Sequence, residues 1–333
     1  MKGYGRPTQQ GVSEKWLALN QVIKEHRLAL LAIQEAHITE ERLHALNTLF
    51  ESQLRIIGSP DPRNQTGACG VAFAVSKRHL RERNVSVEIL IPGRAILAVL
   101  PWSQERTIKI LNVYAPNDAR DNASFWDDLR RILISKPNLK PDVTLGDFNV
   151  VEGAMDRLPT REDPEAATTA LGAMLNDLEQ IDTWRRAHPH ELQYTFLQRT
   201  PISQSRLDRI YVKRGLQPVI ADWQCEPPGI STDHNLVSCS IANYHSPKVG
   251  KGRWAIPLWL LSDKDFAEKM KTLGGKLAEE MGTISERTKE NNPQVLWNDF
   301  KKNLPQSLTN KSRRSRRDCN KQWTQYSDRE TKK

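Results

Sequence analysis

The chain has 333 residues, of which 38% are hydrophobic, and a formal net charge of +9. This length and composition allow one large α/β domain with an appendage, or two domains, and no apolar run approaches the roughly 18 residues of a membrane span. The first residues lack the apolar region of a secretory signal, and the four cysteines have no C-x-x-C spacing. Free thiols in a reducing compartment are therefore expected, with the protein nuclear or cytoplasmic and neither secreted nor membrane-bound.

The positive charge is confined to the carboxyl-terminal part of the chain. Basic and acidic residues number 29 and 29 over residues 1–247, and 20 and 11 over residues 248–333, which accounts for the full +9. We therefore predict a globular domain over residues 1–245 and a basic, partly helical connector and tail over residues 246–333. The densest basic cluster is either a solvated or disordered segment or a phosphate-binding one, and it comprises Lys311, Arg313, Arg314, Arg316 and Arg317.

The first elements in chain order are a helix and a buried strand. Ser13 is expected to cap a helix whose apolar residues recur at helical spacing. The continuously apolar residues 28–33 predict a strand covered on both faces. This strand ends at Glu35, and a carboxylate at the mouth of a buried strand is costly unless it meets a cation. Glu35 therefore either caps the helix that follows or binds a metal ion.

The next region reads as several strands and a helix. Residues 67–75 and 93–100 predict strands of an antiparallel meander without chemistry of their own. Residues 108–114 alternate as a strand, and Tyr114 at its end is either a core residue or a phenol that reaches a cleft. A capping box at residues 124–127 predicts the start of a helix with an apolar inner face.

The stretch Thr144-Leu145-Gly146-Asp147-Phe148-Asn149 organises the chain. Gly146 allows a tight turn at the end of a short buried strand. Asp147 and Asn149 are two residues apart, so they point to the same side of an extended segment. Their oxygens could hold a hard cation or a phosphate oxygen and orient a water molecule. An Asx turn that merely closes the strand is the alternative.

Two further acidic positions follow. Asp208 lies in an alternating strand predicted over residues 205–212, on a side where a lone carboxylate needs a partner. Asp233 and His234 precede a last strand, residues 236–241. Adjacent residues cannot share one face of a strand, so one of this pair could hold a metal ion while the other reaches a reacting phosphate.

In this order, five motifs resemble those of the endonuclease/exonuclease/phosphatase superfamily, which includes AP endonucleases, DNase I-like nucleases and inositol-polyphosphate phosphatases. The motifs are QEAH (34–37), NVYAPN (112–117), GDFN (146–149), SRLDRIY (205–211) and STDHNLV (231–237). The resemblance covers about residues 2–243. It implies a DNase I-like, four-layer α/β sandwich, with two packed, mostly antiparallel sheets flanked by helices and a site at one end.

The resemblance also implies a role for each matched residue. His234 would be the donor to the scissile phosphate, oriented by Asp208. Independently of the resemblance, we predict that Arg206 and the basic cluster of the tail bind the substrate. Tyr114 and Asn117 would contact phosphate. Because the implied ligands are carboxylates and an amide without cysteine, the expected ion is Mg²⁺ or Mn²⁺ rather than zinc. The implied metal-binding residues are Glu35, Asp147, Asn149 and Asp233.

Within the superfamily, two segments resemble the endonuclease of a LINE-type (non-LTR) retrotransposon. One is the phrase SRLDRIYV. The other is the segment of residues 253–261, with Asp265 and Phe266, which looks like the connector that joins such nucleases to a reverse transcriptase. The implied activity is metal-dependent nicking of DNA, with a reverse transcriptase module expected downstream in a full-length element. The alternatives are an AP-site repair endonuclease and a catalytically impaired nucleic-acid-binding remnant.

The impaired alternative has a specific basis. Members of the family usually begin with an apolar strand that ends in Asn just before a Gly-rich turn, and residues 2–5 look like that turn. We therefore expect that the first strand is missing, that the strands bearing Glu35 and Asp233 keep open edges, and that activity is reduced.

Overall fold

The structure, a computed structural model, describes residues 5, 13–62, 69–80, 84–102, 106–199, 202–243 and 264–301. The chain divides into two units, Met1–Pro247 and Lys248–Lys333. The predicted connector at residues 253–261 and the basic cluster at residues 311–317 lie outside the described residues. None of the described helices is long and apolar enough to cross a membrane.

The helices and strands have the following bounds. The helices of the first unit are α1 (Glu14–Glu25), α2 (Glu40–Leu49), α3 (Ala119–Ser135), α4 (Glu165–Asp177) and α5 (Thr183–Ala187). The strands are β1 (Leu30–Gln34), β2 (Leu54–Ser59), β3 (Val71–Ser76), β4 (Ser86–Ile91), β5 (Ala95–Pro101), β6 (Thr107–Tyr114), β7 (Val143–Asp147), β8 (Arg157–Leu158), β9 (Gln180–Asp182), β10 (Phe196–Arg199), β11 (Ile202–Ser205), β12 (Asp208–Lys213), β13 (Ile220–Glu226) and β14 (Leu236–Ile241). The second unit contains α6 (Lys264–Gly282) and a helical stretch over residues 293–301.

Four sheets are described. The largest has the strand order β4-β5-β6-β7-β12-β9, and the neighbours β6 and β7 are parallel while β12 is antiparallel to both β7 and β9. Two sheets have three strands each, in the orders β1-β3-β2 and β10-β11-β8, and β13 pairs with β14 in the fourth. The predicted meander of residues 67–75 and 93–100 is wrong, because β3 lies between β1 and β2 whereas β5 lies between β4 and β6. Alternation of apolar and polar residues identifies a strand but does not indicate which other strand pairs with it.

Three hydrophobic clusters separate four layers. In the first cluster, Trp16, Leu19 and Ile23 of α1 pack with Leu31 and Ile33 of β1. The second cluster lies between the six-stranded sheet and the β1-β3-β2 sheet, and its members include residues of β3, β5, β6 and β12. The third joins α3 and α4 to the outer face of β5 and β6. The predicted four-layer α/β sandwich is confirmed.

The helix α3 begins earlier than predicted. Its N-cap is Asp118, whose carboxylate accepts hydrogen bonds from the N–H groups of Arg120 and Asp121 at 2.9 and 3.2 Å. Ser124 therefore lies inside the helix, and the predicted capping box is wrong because Asp118 satisfies the first-turn donors first. The buried Asn122 of α3 donates to Phe148 O at 3.0 Å, which ties the helix to the turn after β7.

Candidate active site

Register places three of the predicted site residues in one row across the six-stranded sheet. Tyr114 ends β6 and lies opposite Asp147, the last residue of the parallel strand β7. Asp208 begins the antiparallel strand β12 and lies opposite the same Asp147. Because β12 runs in the reverse direction, its first residue meets the ends of the other two strands. A phenol and two carboxylates therefore meet at one end of the sheet.

Two more site residues come from the facing strands of the sandwich. Glu35 directly follows β1, and His234 lies two residues before β14. The Tyr114 hydroxyl donates to Glu35 Oε1 at 2.7 Å, and the His234 Nδ1 lies 2.8 Å from Asp208 Oδ2. Tyr114 and Asp208 stand at the two ends of the row, and each contacts one residue outside the six-stranded sheet. Asp147 lies between them.

The charges of this cluster do not balance. Asp147 is 5% exposed, and burial, followed by the charge of Asp208, raises the pKa of Asp147 to about 7. Burial opposes the charge on His234, but the Asp208 carboxylate, its hydrogen bond and Asp147 outweigh burial and raise the pKa of the imidazole to about 9. Like charges directly opposite on neighbouring strands are destabilising. The cluster therefore combines one cation, the imidazolium of His234, with the carboxylates of Asp147 and Asp208, which lie directly opposite each other.

The donor set fits a hard divalent cation. Among the described residues, the carboxylates of Asp147 and Asp208 and the imidazole of His234 have ligand atoms within 4.8 Å of one another, and Glu35 lines the same cavity. Because both nitrogens of a cationic imidazole are donors, the carboxylates are the ligands that this group offers to a cation. Carboxylate oxygens are the ligands that Mg²⁺ and Mn²⁺ prefer, and a cation would offset the opposed charges. Asp233, predicted to bind the metal, belongs neither to this group nor to the described lining of the cavity.

The turn after β7 is built from the residues that the sequence singled out. The Asn149 N–H donates to Asp147 Oδ1 at 3.0 Å, which forms the Asx turn, and the Asn149 side-chain Nδ2 donates to Ala115 O at 2.9 Å. Gly146 has φ +139, and a Cβ there would lie 2.0 Å from Val113 O, so a side chain does not fit. The motif therefore forms an Asx turn, and the same turn orients the Asp147 carboxylate.

A buried amide holds the strand end that carries Glu35. Asn112 is fully buried and donates to Ile33 O at 3.3 Å and Ala72 O at 3.0 Å, while Gln34 Nε2 donates to Asn112 Oδ1 at 2.7 Å. Glu35 itself has a positive φ of 51°, a conformation that needs support from its surroundings. The sequence analysis missed this role, although an asparagine within an apolar alternation was its signal.

Arg94 is a second residue that the sequence analysis missed. Its guanidinium carbon lies 4.7 Å from the centre of the Tyr114 ring, and its Nη1 donates to Tyr114 O at 3.2 Å. The run at residues 93–100 was predicted to carry no chemistry, whereas Arg94 brings a cation beside the Tyr114–Glu35 pair. A Gly-Arg step directly before an apolar strand was the available signal.

On the other side of the site, the rings of Phe196 and His234 are 4.8 Å apart.

Arg206 does not occupy the predicted position. Its guanidinium is buried and forms ion pairs with Asp156 at 2.9 Å and Asp182 at 2.7 Å. The prediction that Arg206 binds the substrate is wrong, because the residue is 4% exposed and its donors face acidic partners. Asn117, a predicted phosphate contact, is exposed in the loop between β6 and α3.

The fold is a four-layer sandwich, and carboxylates and an imidazole cluster at one end of its sheets. This combination is typical of hydrolases of the nuclease or phosphatase type. Residues 15–234 match the family model described as the Endonuclease/Exonuclease/phosphatase family. The chain belongs to this family, which confirms the resemblance drawn from the five motifs.

Relatives and solved structures agree with this assignment. The chain is 28% identical over 208 residues to the Transposon TX1 uncharacterized 149 kDa protein of Xenopus laevis. The matched region covers 61% of this chain but only 15% of the length of that relative. An AP endonuclease from Archaeoglobus fulgidus has a TM-score of 0.55 at 20% identity and covers 68% of this chain and 93% of its own. The endonuclease domain of TRAS1, a telomere-specific non-LTR retrotransposon, has a TM-score of 0.50 at 17% identity, with coverage of 68% and 93%. At these identities the two structures establish the fold.

Proposed function

We propose that this chain is a metal-dependent endonuclease that nicks double-stranded DNA. The observation that carries the proposal is the row of Tyr114, Asp147 and Asp208, with Asp208 bonded to His234 at 2.8 Å. Hydrolysis of a phosphodiester needs an oriented water molecule, a base, and positive charge against the phosphate oxygens. Asp147 supplies the base and His234 the imidazolium that Asp208 holds in place, and all three line one cavity.

Each side chain has a distinct task in this proposal. Asp208 accepts the Nδ1–H of His234 and so directs the Nε2–H toward a phosphate oxygen. Asp147, held by the Asx turn with Asn149, orients the attacking water and takes its proton, which its raised pKa permits near neutral pH. Burial, followed by the hydrogen bond to Glu35, raises the pKa of Tyr114 above its usual range, so the phenol stays protonated and can donate.

A divalent cation would be held by Glu35 and Asp147, which face the same cavity. The resemblance implies Asn149 and Asp233 as further ligands, but neither is among the residues that line this cavity. When bound, Mg²⁺ or Mn²⁺ supplies Lewis-acid stabilisation of the charge on the phosphate. Arg94 adds a fixed positive charge beside Tyr114. Loss of the carboxylates would therefore remove both the base and the ligands.

The transposon relative favours a role in the movement of a genetic element. The matched relative is a transposon protein, and a DNA substrate agrees with the predicted nuclear or cytoplasmic location. A reverse transcriptase module downstream remains the expected partner, and the basic cluster at residues 311–317 the expected contact to additional phosphates. Cleavage confined to abasic sites is the second candidate, since an AP endonuclease shares the fold.

The experiment that tests this function compares three substrates with one protein preparation. We expect supercoiled plasmid to be converted to open circles in the presence of Mg²⁺ or Mn²⁺, at a rate that does not depend on abasic sites. Duplexes with one abasic site and soluble inositol phosphates serve as the competing substrates. Cleavage of abasic duplex with intact plasmid would identify a repair nuclease, and turnover of inositol phosphates alone would exclude a nuclease.

A further inference from the structure

Arg209 of β12 is a buried cation that has no task in the proposed mechanism. The residue is only 2% exposed, and register places it opposite Gly146 of β7, so no side chain competes for the space across from it. Its guanidinium carbon lies 4.9 Å from the centre of the Phe148 ring and 5.4 Å from that of Tyr211. Adjacent residues of a strand point to opposite faces. Arg209 therefore lies on the helix-covered face of the sheet, and its neighbour Asp208 on the face of the site.

The charge of Arg209 is poorly neutralised. Among the described residues, the carboxylate paired with it is that of Glu152, whose Oε2 lies 3.5 Å from the Arg209 Nη1 and whose side chain is 41% exposed. The Nε and Nη1 atoms of Arg209 are buried and form no hydrogen bond with a described residue. A buried cation with so little compensation costs free energy, and local costs of this kind are typical of functional sites. The guanidinium is therefore expected to serve the site.

The remaining nitrogen of the guanidinium binds the turn that carries the proposed base. Arg209 Nη2 donates to Val150 O, and Val150 directly follows Asn149. Asn149 has a positive φ of 49°, a conformation that needs support from its surroundings. The Asn149 N–H donates to Asp147 Oδ1 at 3.0 Å. Arg209 thus fixes the carbonyl next to the residue that orients Asp147.

Bonds that do not involve Arg209 hold the first half of this turn. The Phe148 N–H donates to Leu207 O at 3.0 Å, and Phe148 O accepts a hydrogen bond from Asn122 Nδ2 at 3.0 Å. These bonds would remain if the guanidinium were removed. Loss of Arg209 should therefore loosen residues 149 and 150 without releasing β7 or β12.

We propose that Arg209 is a positioning residue, which holds the turn of residues 147–150 in the conformation that presents Asp147 to the substrate. It acts through Val150 and Asn149, and because it is buried it contacts neither DNA nor a metal ion. The kinetic consequence rests on the proposed nuclease function, whereas the local order of the turn does not.

The test compares the full-length wild type with Arg209→Met, which keeps a long apolar side chain beside Phe148 but removes every donor. Hydrogen exchange of a peptide that covers residues 147–152 should be about tenfold faster in the variant, while peptides from α3 and β5 exchange as in the wild type. In plasmid nicking, kcat should fall by about 10- to 100-fold, the usual effect of a small misplacement of a catalytic group. KM for the plasmid should not change, because Arg209 does not contact DNA.

Arg206→Met is the matched control, because Arg206 lies on the same segment and is buried to a similar extent. It pairs with two buried carboxylates, those of Asp156 and Asp182, whereas the partner of Arg209 is partly exposed and can be solvated. Arg206→Met should therefore lower the melting temperature more than Arg209→Met does. Well below that temperature it should leave the exchange of residues 147–152 unchanged.

Arg209→Lys is the second variant, since a lysine keeps the charge and one donor for Val150 O. Its exchange and kcat should lie between those of the wild type and Arg209→Met. The proposal is overturned if the folded variants show wild-type exchange in residues 147–152 or an unchanged kcat, if faster exchange is spread evenly over the domain, or if neither variant folds. If the wild type itself does not nick DNA, the proposed function fails, and the exchange rates alone decide whether Arg209 orders the turn.

Discussion

Replacing Asp147 with asparagine is expected to lower the rate of plasmid nicking by about 10²–10⁴-fold, the usual size of an acid–base contribution. The same change is expected to raise the melting temperature measured in EDTA. Asp147 is buried directly opposite Asp208, so a neutral side chain of the same shape removes a like-charge repulsion and a desolvation cost. Activity and stability should therefore move in opposite directions.

The companion variant is His234→Ala, for which we expect a loss of nicking of similar size because the donor to the phosphate is removed. His188→Ala is the matched control, since His188 stacks on Trp184 and pairs with Glu191 outside the site. Its nicking rate should equal that of the wild type. If Asp147→Asn lowered both the rate and the melting temperature, the carboxylate would be structural and its catalytic role would be contradicted.

Replacing Arg206 with methionine is expected to destabilise the protein by about 3–5 kcal/mol, the usual effect of breaking a buried ion pair by removing one partner. Asp156 and Asp182 would lose the guanidinium that lies between them. The Arg206 hydrogen bond and charge hold the pKa of Asp156 below its usual range although burial opposes this. A domain of this size should lose roughly 10 °C in melting temperature.

Arg131→Ala is the matched control for that measurement. Arg131 is 75% exposed and pairs with Asp128 on the surface of α3, so its loss should change stability by less than about 0.5 kcal/mol. If Arg206→Met kept the melting temperature and instead weakened DNA binding, Arg206 would contact the substrate, and the structural role assigned to it would be refuted.

Much of the fold was predictable from the sequence because many of its helices and strands follow from patterns of apolar residues within short segments. The apolar runs and helical periodicities identified β1, β6 and β12, and α1 and α4, and the five motifs in order identified the family. Each motif lies at a strand end, so the candidate site could be located without knowledge of the sheets. The prediction that Asp208 needs a partner anticipated its contact with His234.

Register and long-range pairing could not be predicted in the same way. The opposition of Asp208 and Asp147 depends on how β12 aligns with β7, and a one-residue slip would have separated them. Arg206 is two residues from Asp208, yet it points to a different cluster of acidic residues that come from elsewhere in the chain. Arg94 reaches Tyr114 only because β5 lies beside β6. These contacts join distant segments, and no local pattern encodes them.

The most direct test of the proposed function is the rate of plasmid nicking as a function of Mn²⁺ concentration, for the wild type and for Glu35→Gln. Glutamine keeps an acceptor for the Tyr114 hydroxyl, which donates to Glu35 at 2.7 Å, but removes the charge that would bind the ion. We predict saturable Mn²⁺ dependence for the wild type, complete inhibition by EDTA, and a half-saturating concentration at least tenfold higher for Glu35→Gln. Nicking that persists in EDTA, or superimposable curves for the two proteins, would contradict a metal-dependent site built on Glu35.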